Sequence, residues 1–278
     1  MPYKILEKKT LADNVVSLWV EAPQIAKKRE AGQFIILRPN DKSERIPLTI
    51  AGVKKEAGAI RLIAQVVGDT TRELAALNEG DFIRDLAGPL GHPTPIKDYG
   101  TVACIGGGIG VAPMLPIAAA MKEAGNHVVT IVGARTKELL ILEDELREAS
   151  SEFIITTDDG SYGEKGFVTD VLKKRIANSA KIDFAAAIGP VPMMKAVAAV
   201  TKEAGIPTVA SLNTIMIDGT GMCGGCRVTI GGEVKYTCVD GPEFDAHKVD
   251  FDELQNRLGT YREQENKEEH NCKLEGKV

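Results

Sequence analysis

Residues 103–114 read ACIGGGIGVAPM, and the fold of the chain turns on this stretch. Its first half belongs to TVACIGGG, an apolar run of strand character, and its second half opens APMLPIAAAMKEAG, a run of helix formers. A glycine-rich turn between a strand and a helix sets free N–H groups and the positive end of the helix dipole against an anion. Gly106, Gly107, Gly108 and Gly110 permit a tight turn and close backbone approach. The strict G-x-G-x-x-G fingerprint is absent: its third glycine would fall on Val111 counted from Gly106, or on Pro113 counted from Gly108. A purely structural turn is the alternative at this point.

Working outward toward the C-terminus, apolar runs alternate with helical patterns. HVVTIVGAR, the helical LLILEDELREA, FIITTDD, the helical FVTDVLKKRIAN, DFAAAIGP and the helical PMMKAVAAVTKEAG follow in turn. Such alternation predicts right-handed βαβ units and a doubly wound parallel sheet over 98–208. In AAIGPVPMMKAV (186–197), Gly189-Pro190 closes a later strand, where open α/β sheets bind ligands. Met193 and Met194, taken on their own, read as core residues of the next helix. Working outward toward the N-terminus, VVSLWVEA (15–22), GQFIILR (32–38), IPLTIAGV (46–53) and AIRLIAQVV (59–67) are short strands separated by turn chemistry. Residues 1–97 are therefore expected to form a β-barrel or sandwich, with one helix, TTRELAALNEG, capped by Thr70 or Thr71. ERIPLTI (44–50) and GDTTREL (68–74) bring an Arg and hydroxyls toward a helix N-terminus. This is a candidate second anion site, although a cap and a surface Arg explain it too.

After IPTVASLN the texture changes to a glycine-rich segment with three cysteines, followed by the amphipathic VDFDELQNRL. The spacing is Asp218-x4-Cys223-x2-Cys226-x11-Cys238. Plant-type [2Fe–2S] sites use C-x4-C-x2-C…C, so Asp218 stands in the first ligand slot. Gly219, Gly221, Gly224 and Gly225 let backbone N–H groups approach sulfide. The alternatives are a structural zinc site built from three Cys and one Asp, and an Asp218 that only initiates an Asp-Gly turn. Residues 209–260 form the cluster region with its C-terminal helix, and 261–278 form a charge-dense tail of disordered composition.

The 278 residues are 44% hydrophobic and 26% charged, with a net charge of −5, five cysteines and four histidines. That composition is globular, and its acidity points away from nucleic acid as a partner. No segment reaches the roughly 18 apolar residues a span requires, and MPYKILEKKTLADNVV has no apolar signal core, so a cytoplasmic protein without a membrane partner is expected. Cys104 and Cys272 read as non-ligands. His92, His127, His247 and His270 have neither ligand spacing nor a partner nucleophile.

Barrel strands, GGGIGVAP turn, GP-x-P-M-M and a terminal cluster loop occur in this order over residues 1 to about 255. In that combination the chain resembles the ferredoxin–NADP reductase superfamily. Within it, the chain is similar to the electron-transfer subunits of dihydroorotate dehydrogenases, and to small subunits of electron-bifurcating NADH-dependent ferredoxin:NADP oxidoreductases (sulfide dehydrogenase-like). The resemblance implies an FAD in the barrel, held by Ile46, Pro47, Leu48, Thr49, Ile63, Ala64, Gln65, Thr70 and Thr71. Arg45 lies one residue upstream of the usual pyrophosphate Arg. It also implies NAD(H) at Gly107, Gly108, Gly110, Val111, Ala112, Pro113, Gly189, Pro190 and Met193. Asp158 and Asp159 would disfavour an added 2′-phosphate, while Arg135 would favour one. The implied metal ligands are Asp218, Cys223, Cys226 and Cys238 around a [2Fe–2S] cluster; an Asp at the first position favours the bifurcating relatives. The implied partner is a larger subunit with its own flavin and [4Fe–4S] clusters, through which ferredoxin and NADP(H) are reached. The expected activity is that of an oxidoreductase subunit moving electrons between NAD(H), FAD and the cluster, with hydride transfer at the flavin and no catalytic side chain. A dihydroorotate dehydrogenase electron-transfer subunit and a non-catalytic zinc- or flavin-binding regulatory module are the rival readings.

Overall fold

The computed structural model describes residues 2–260; the charged tail, with His270 and Cys272, lies outside the described residues. Seven strands form the first sheet: β1 (Tyr3–Ala12), β2 (Val15–Glu21), β3 (Phe34–Arg38), β4 (Ile46–Lys54), β5 (Ala59–Gln65), β6 (Phe82–Ile83) and β7 (Asp85–Leu90). Their order is β6-β1-β2-β5-β4-β3-β7, and each pairing is antiparallel. The two edge strands, β6 and β7, are separated in the chain by Arg84 alone. The sheet therefore curls on itself into a nearly closed barrel, which removes most of its exposed edge. Ile5, Leu18, Ile35, Ile50, Ile60 and Leu62 fill the interior. Helix α1 (Pro23–Lys28) connects β2 toward β3, and α2 (Asp69–Ala76) follows β5.

The helix α2 begins a turn earlier than its threonines suggest. Gly68 is the N-cap and Thr71 occupies the third helical position. The Thr71 hydroxyl accepts from the N–H of Val67 at 3.0 Å and of Gly68 at 2.9 Å, and donates to the Gly68 carbonyl at 2.8 Å. Glycine can open the helix because a residue at the third position reaches back to its N–H, the half of a capping box that needs no cap side chain.

The second sheet takes β8 (Thr101–Gly107), β9 (His127–Ala134), β10 (Glu152–Thr157), β11 (Glu164–Lys165), β12 (Phe184–Ile188), β13 (Thr208–Ser211) and, after the β14 (Arg227–Ile230)–β15 (Glu233–Tyr236) hairpin, β16 (Glu243–Asp245). Its order is β11-β10-β9-β8-β12-β13-β16, parallel except for β16. The strand order reverses between β8 and β12. Strands buried on both faces read as continuous apolar runs, as in Val102–Ile105 and Ala185–Ile188. Helices α3 (Val111–Glu123) and α4 (Glu143–Glu148) cover one face; α5 (Val168–Ala177), α6 (Val191–Glu203) and α8 (Phe251–Leu258) cover the other. The LLILEDELREA run is helical only over its second half: Leu142, at φ 59°, breaks the backbone just before α4. Leu142 is instead buried among the core residues beside Ile141 and Leu146, and that burial offsets the strained backbone. The short α7 (Thr237–Asp240) carries Cys238.

The barrel and the parallel sheet share buried contacts. Val15, Ala31, Ala51 and Ile63 pack in one apolar group with Val111, Ala112 and Leu115 of α3. The buried Arg61 donates to Ser17 Oγ at 2.9 Å and pairs with Glu145 at 2.6 Å.

Candidate functional site

A cleft of about 960 Å³ runs between barrel and parallel sheet. On the sheet side it opens at the carboxyl ends of β8 and β12, where the strand order reverses. Gly107, Gly108 and Gly110 line it from the first turn, with Ala112 and Pro113 behind them; Gly189, Pro190 and Met193 line it from the second. The two turns are pressed together. A Cβ on Gly110 would lie 2.4 Å from the Ile188 carbonyl oxygen, so no larger residue fits without moving β12. Pro113 sits within the first turn of α3, where its missing N–H costs nothing. Val111 faces the core instead, fully buried.

On the barrel side the cleft is lined by Pro47, Leu48 and Thr49 of β4 and by Ile63 and Gln65 of β5. Ala64 points the other way, into the barrel interior, as strand alternation requires. Ile46 packs against that interior too. Thr70 is buried, and the Thr71 hydroxyl is engaged within α2; neither lines the cleft. Arg45 lines a separate cavity of about 280 Å³ with Arg38, Arg84, Asp85 and Asp218. Arg45 lies one residue ahead of β4, outside the strand, and so is not held to the face of β4 that lines the cleft.

The acidic pair after β10 is split. Asp158 lines the cleft together with Arg135. Asp159 turns away: its carboxylate accepts from Ser161 N at 2.9 Å and Ser161 Oγ at 2.7 Å. Those bonds to Ser161 hold the Asp159 carboxyl below the usual range.

The four proposed ligands fall into two pairs. Asp218 Oδ1 accepts from Cys223 Sγ at 3.4 Å, and its Oδ2 accepts from Cys223 N at 3.1 Å. Cys223 is exposed and Asp218 half-buried. Cys226 and Cys238 are buried, with their sulfurs 3.1 Å apart. The Thr220 N–H, then the Cys223 thiol and amide, hold the Asp218 carboxyl below the usual range. Burial and the Cys226 thiol push the Cys238 thiol up to about 12. A coordinated cation reverses that resistance, because it deprotonates a thiol outright. Among the described residues no three His, Cys, Asp or Glu side chains converge on one ion-sized point. The donors are thus arranged as two pairs rather than as one tetrahedron. Gly219, at φ +74°, lets the loop lie against the barrel: a Cβ there would meet Leu90 at 2.7 Å and Ile36 at 2.8 Å. Apolar side chains stand exposed around Cys223, among them Ile217, Val239 and Met222, which is 89% exposed.

Cys104 is fully buried in β8, where burial pushes its thiol up to about 12. His127 pairs with Glu152 and His247 contacts Thr201, both away from the cleft. No helix among the described residues is long and apolar enough to cross a membrane. Phe34, Phe167, Leu212, Met216 and Pro242 also line the cleft and escaped the sequence reading. Of these, Leu212 could have been anticipated, since it follows the carboxyl end of a parallel strand.

Residues 104–199 match the oxidoreductase NAD-binding domain family, and residues 213–250 match the iron–sulfur cluster binding domain of dihydroorotate dehydrogenase B. A homolog of the dihydroorotate dehydrogenase B (NAD(+)) electron transfer subunit from Thermotoga maritima is 50% identical, with 94% of this chain and 92% of the relative covered. The electron transfer subunit from Clostridium perfringens is 33% identical over 89% of this chain and 97% of its own length. A solved structure concerned with flavin-based electron bifurcation, that of the NADH-dependent reduced ferredoxin-NADP oxidoreductase, superposes with a TM-score of 0.91. It is 48% identical, with 96% of each chain covered. The chain therefore belongs to the family of dihydroorotate dehydrogenase B electron transfer subunits and their homologs, as an oxidoreductase subunit with an NAD-binding domain and an iron–sulfur cluster binding domain.

Proposed function

We propose that this chain is the FAD-, NAD(H)- and [2Fe–2S]-carrying small subunit of an electron-bifurcating NADH-dependent ferredoxin:NADP oxidoreductase. One observation carries the reading. A single cleft is lined on one side by the β4 strand end and on the other by the switch-point glycines, and its lining includes residues packed against Cys226 and Cys238. When bound, the groups supply the chemistry: a nicotinamide gives two electrons as a hydride, a flavin divides them, and a [2Fe–2S] cluster takes one at a time.

The chain's own residues position and shield. In this reading Pro47, Leu48, Thr49, Ile63 and Gln65 hold the flavin ring. Gly107, Gly108 and Gly110 admit the dinucleotide close to the backbone, opposite Gly189 and Pro190. Asp158 repels a 2′-phosphate, so NAD(H) is preferred. Asp218 with Cys223 holds one iron and Cys226 with Cys238 the other; two donor pairs suit two irons better than the single ion of a zinc site. The exposed apolar side chains around Cys223 are where a larger flavin and [4Fe–4S] subunit docks, giving a heteromer that reaches ferredoxin and NADP(H) through that partner.

The match of residues 213–250 to the dihydroorotate dehydrogenase B domain favours a second reading, an electron-transfer subunit for dihydroorotate oxidation. Anaerobic purification with either candidate large subunit separates the two. One FAD and two irons per chain, NADH-dependent bleaching and ferredoxin-linked NADP reduction are expected. Dihydroorotate-driven NAD reduction would replace the first reading with the second, and a colourless protein would overturn both.

A further inference from the structure

Phe34 opens β3, and Met216 follows β13 by five residues. Both line the large cleft. Both also belong to one packed apolar group with Ile36, Cys226 and Cys238. Phe34 is 3% and Met216 5% exposed, and the two cysteines are 1% exposed. This group therefore joins the cleft wall to the inner cysteine pair. Of the other two donors, Cys223 is exposed and Asp218 half-buried.

We propose that Phe34 and Met216 are positioning residues of the electron path between the cleft and the Cys226–Cys238 pair. The two ends of the site differ: the Cys226–Cys238 end is buried and the Cys223 end is exposed, so with NADH as donor electrons enter at the first and leave at the second. This inference rests on the function proposed above.

The physical reason is packing. An electron crosses contacting atoms far more readily than an empty or wet gap of the same width. Protein interiors packed to crystal density offer such contact. Met adds a polarizable thioether on an adaptable stem, which fills an irregular space between a ring and two sulfurs. Gly219 fixes the geometry, since its approach to Ile36 and Leu90 holds the cluster loop against the barrel. In the transfer itself one electron leaves the group held in the cleft and one arrives at the group held by the cysteines. No bond forms or breaks at Phe34 or Met216, no proton moves there, and neither side chain is oxidised or reduced.

The test uses the full chain, purified anaerobically with its flavin and iron counted, then mixed rapidly with NADH. Flavin bleaching is followed by absorbance, and cluster reduction by freeze-quench EPR. In Met216→Ala the cluster signal should trail flavin bleaching by a delay several-fold longer than in the wild type. Its iron content and equilibrium potential should be unchanged. Met216→Leu, which refills the space, should restore the rate. Wild-type arrival of the cluster signal in Met216→Ala with both groups in place overturns the proposal. Should Met216→Ala shed iron, Phe34→Leu decides: delayed cluster reduction supports the path and an unchanged rate overturns it. A wild-type chain without flavin or iron fails at the counting step and overturns the proposed function as well.

Discussion

Glu243 gives the sharpest test of how the parts of the molecule are joined. It lies on β16, paired in register with Ser211, and its side chain reaches the linker between barrel and parallel sheet. Thr94 Oγ1 donates to Glu243 Oε1 at 2.6 Å, and the Thr94 N–H donates to the Ala31 carbonyl at 2.9 Å. Its second oxygen, Oε2, is buried without a hydrogen-bond partner. Burial lifts the carboxyl from the ordinary 4.5 to about 7, only partly opposed by the Thr94 bond. Below pH 4.5 both folded and unfolded chains carry the proton, and the group's stabilising effect is fully present. As pH rises the unfolded chain releases the proton first, so stability falls, and the loss is complete once the folded carboxyl has titrated near pH 7. A rise from 4.5 to about 7 corresponds to about 3 kcal/mol at 1.36 kcal/mol per unit. Glu243→Gln keeps a neutral acceptor for Thr94 and removes the titration. Relative to wild type, the variant should gain nothing near pH 4.5 and up to about 3 kcal/mol above pH 7, or roughly 5 °C in Tm. Urea or thermal unfolding of both proteins at several pH values from 5 to 8 measures this difference, in which all other titrating groups cancel. A variant-minus-wild-type difference that stays constant across this range refutes the buried-carboxyl reasoning.

Three further outcomes are expected. Asp218→Cys should retain a [2Fe–2S] cluster at a lower reduction potential, because thiolate is the softer donor, whereas Asp218→Ala should lose iron on desalting; an unaltered EPR spectrum with full iron in Asp218→Ala would exclude Asp218 as a ligand. Gly110→Ala places a Cβ 2.4 Å from the Ile188 carbonyl, so it should cost roughly 1–3 kcal/mol of stability and weaken NADH binding while leaving flavin content intact, checked by melting and NADH titration. Asp158→Ser should raise kcat/KM for NADPH relative to NADH several-fold by removing the one carboxylate of the Asp158–Asp159 pair that lines the cleft, and the same change at Asp159 should leave the ratio alone; equal effects at both positions would contradict the split.

Local chemistry made much of this legible before any tertiary structure. Alternating apolar strands and helical runs over 98–208 announced a doubly wound sheet, because strand and helix periods are properties of neighbouring residues. Gly106, Gly107, Gly108 and Gly110 marked the turn at the sheet's switch point, since a backbone that must approach β12 within contact distance tolerates no side chain. The Asp218-x4-Cys223-x2-Cys226 spacing, with Cys238 following, marked the iron–sulfur segment, because side chains a few residues apart on one loop stay within reach of one another. The positions that spacing could not reach were those set by packing between distant segments. Arg45 and Thr71 carried suitable chemistry, but Arg45, just ahead of β4, lines a second cavity and the start of α2 engages Thr71 in its own cap. Phe34, Met216 and Glu243 belong to no motif. They matter because the barrel, the parallel sheet and the terminal segment meet at them, and which buried side chains meet across such a junction depends on how the whole chain packs.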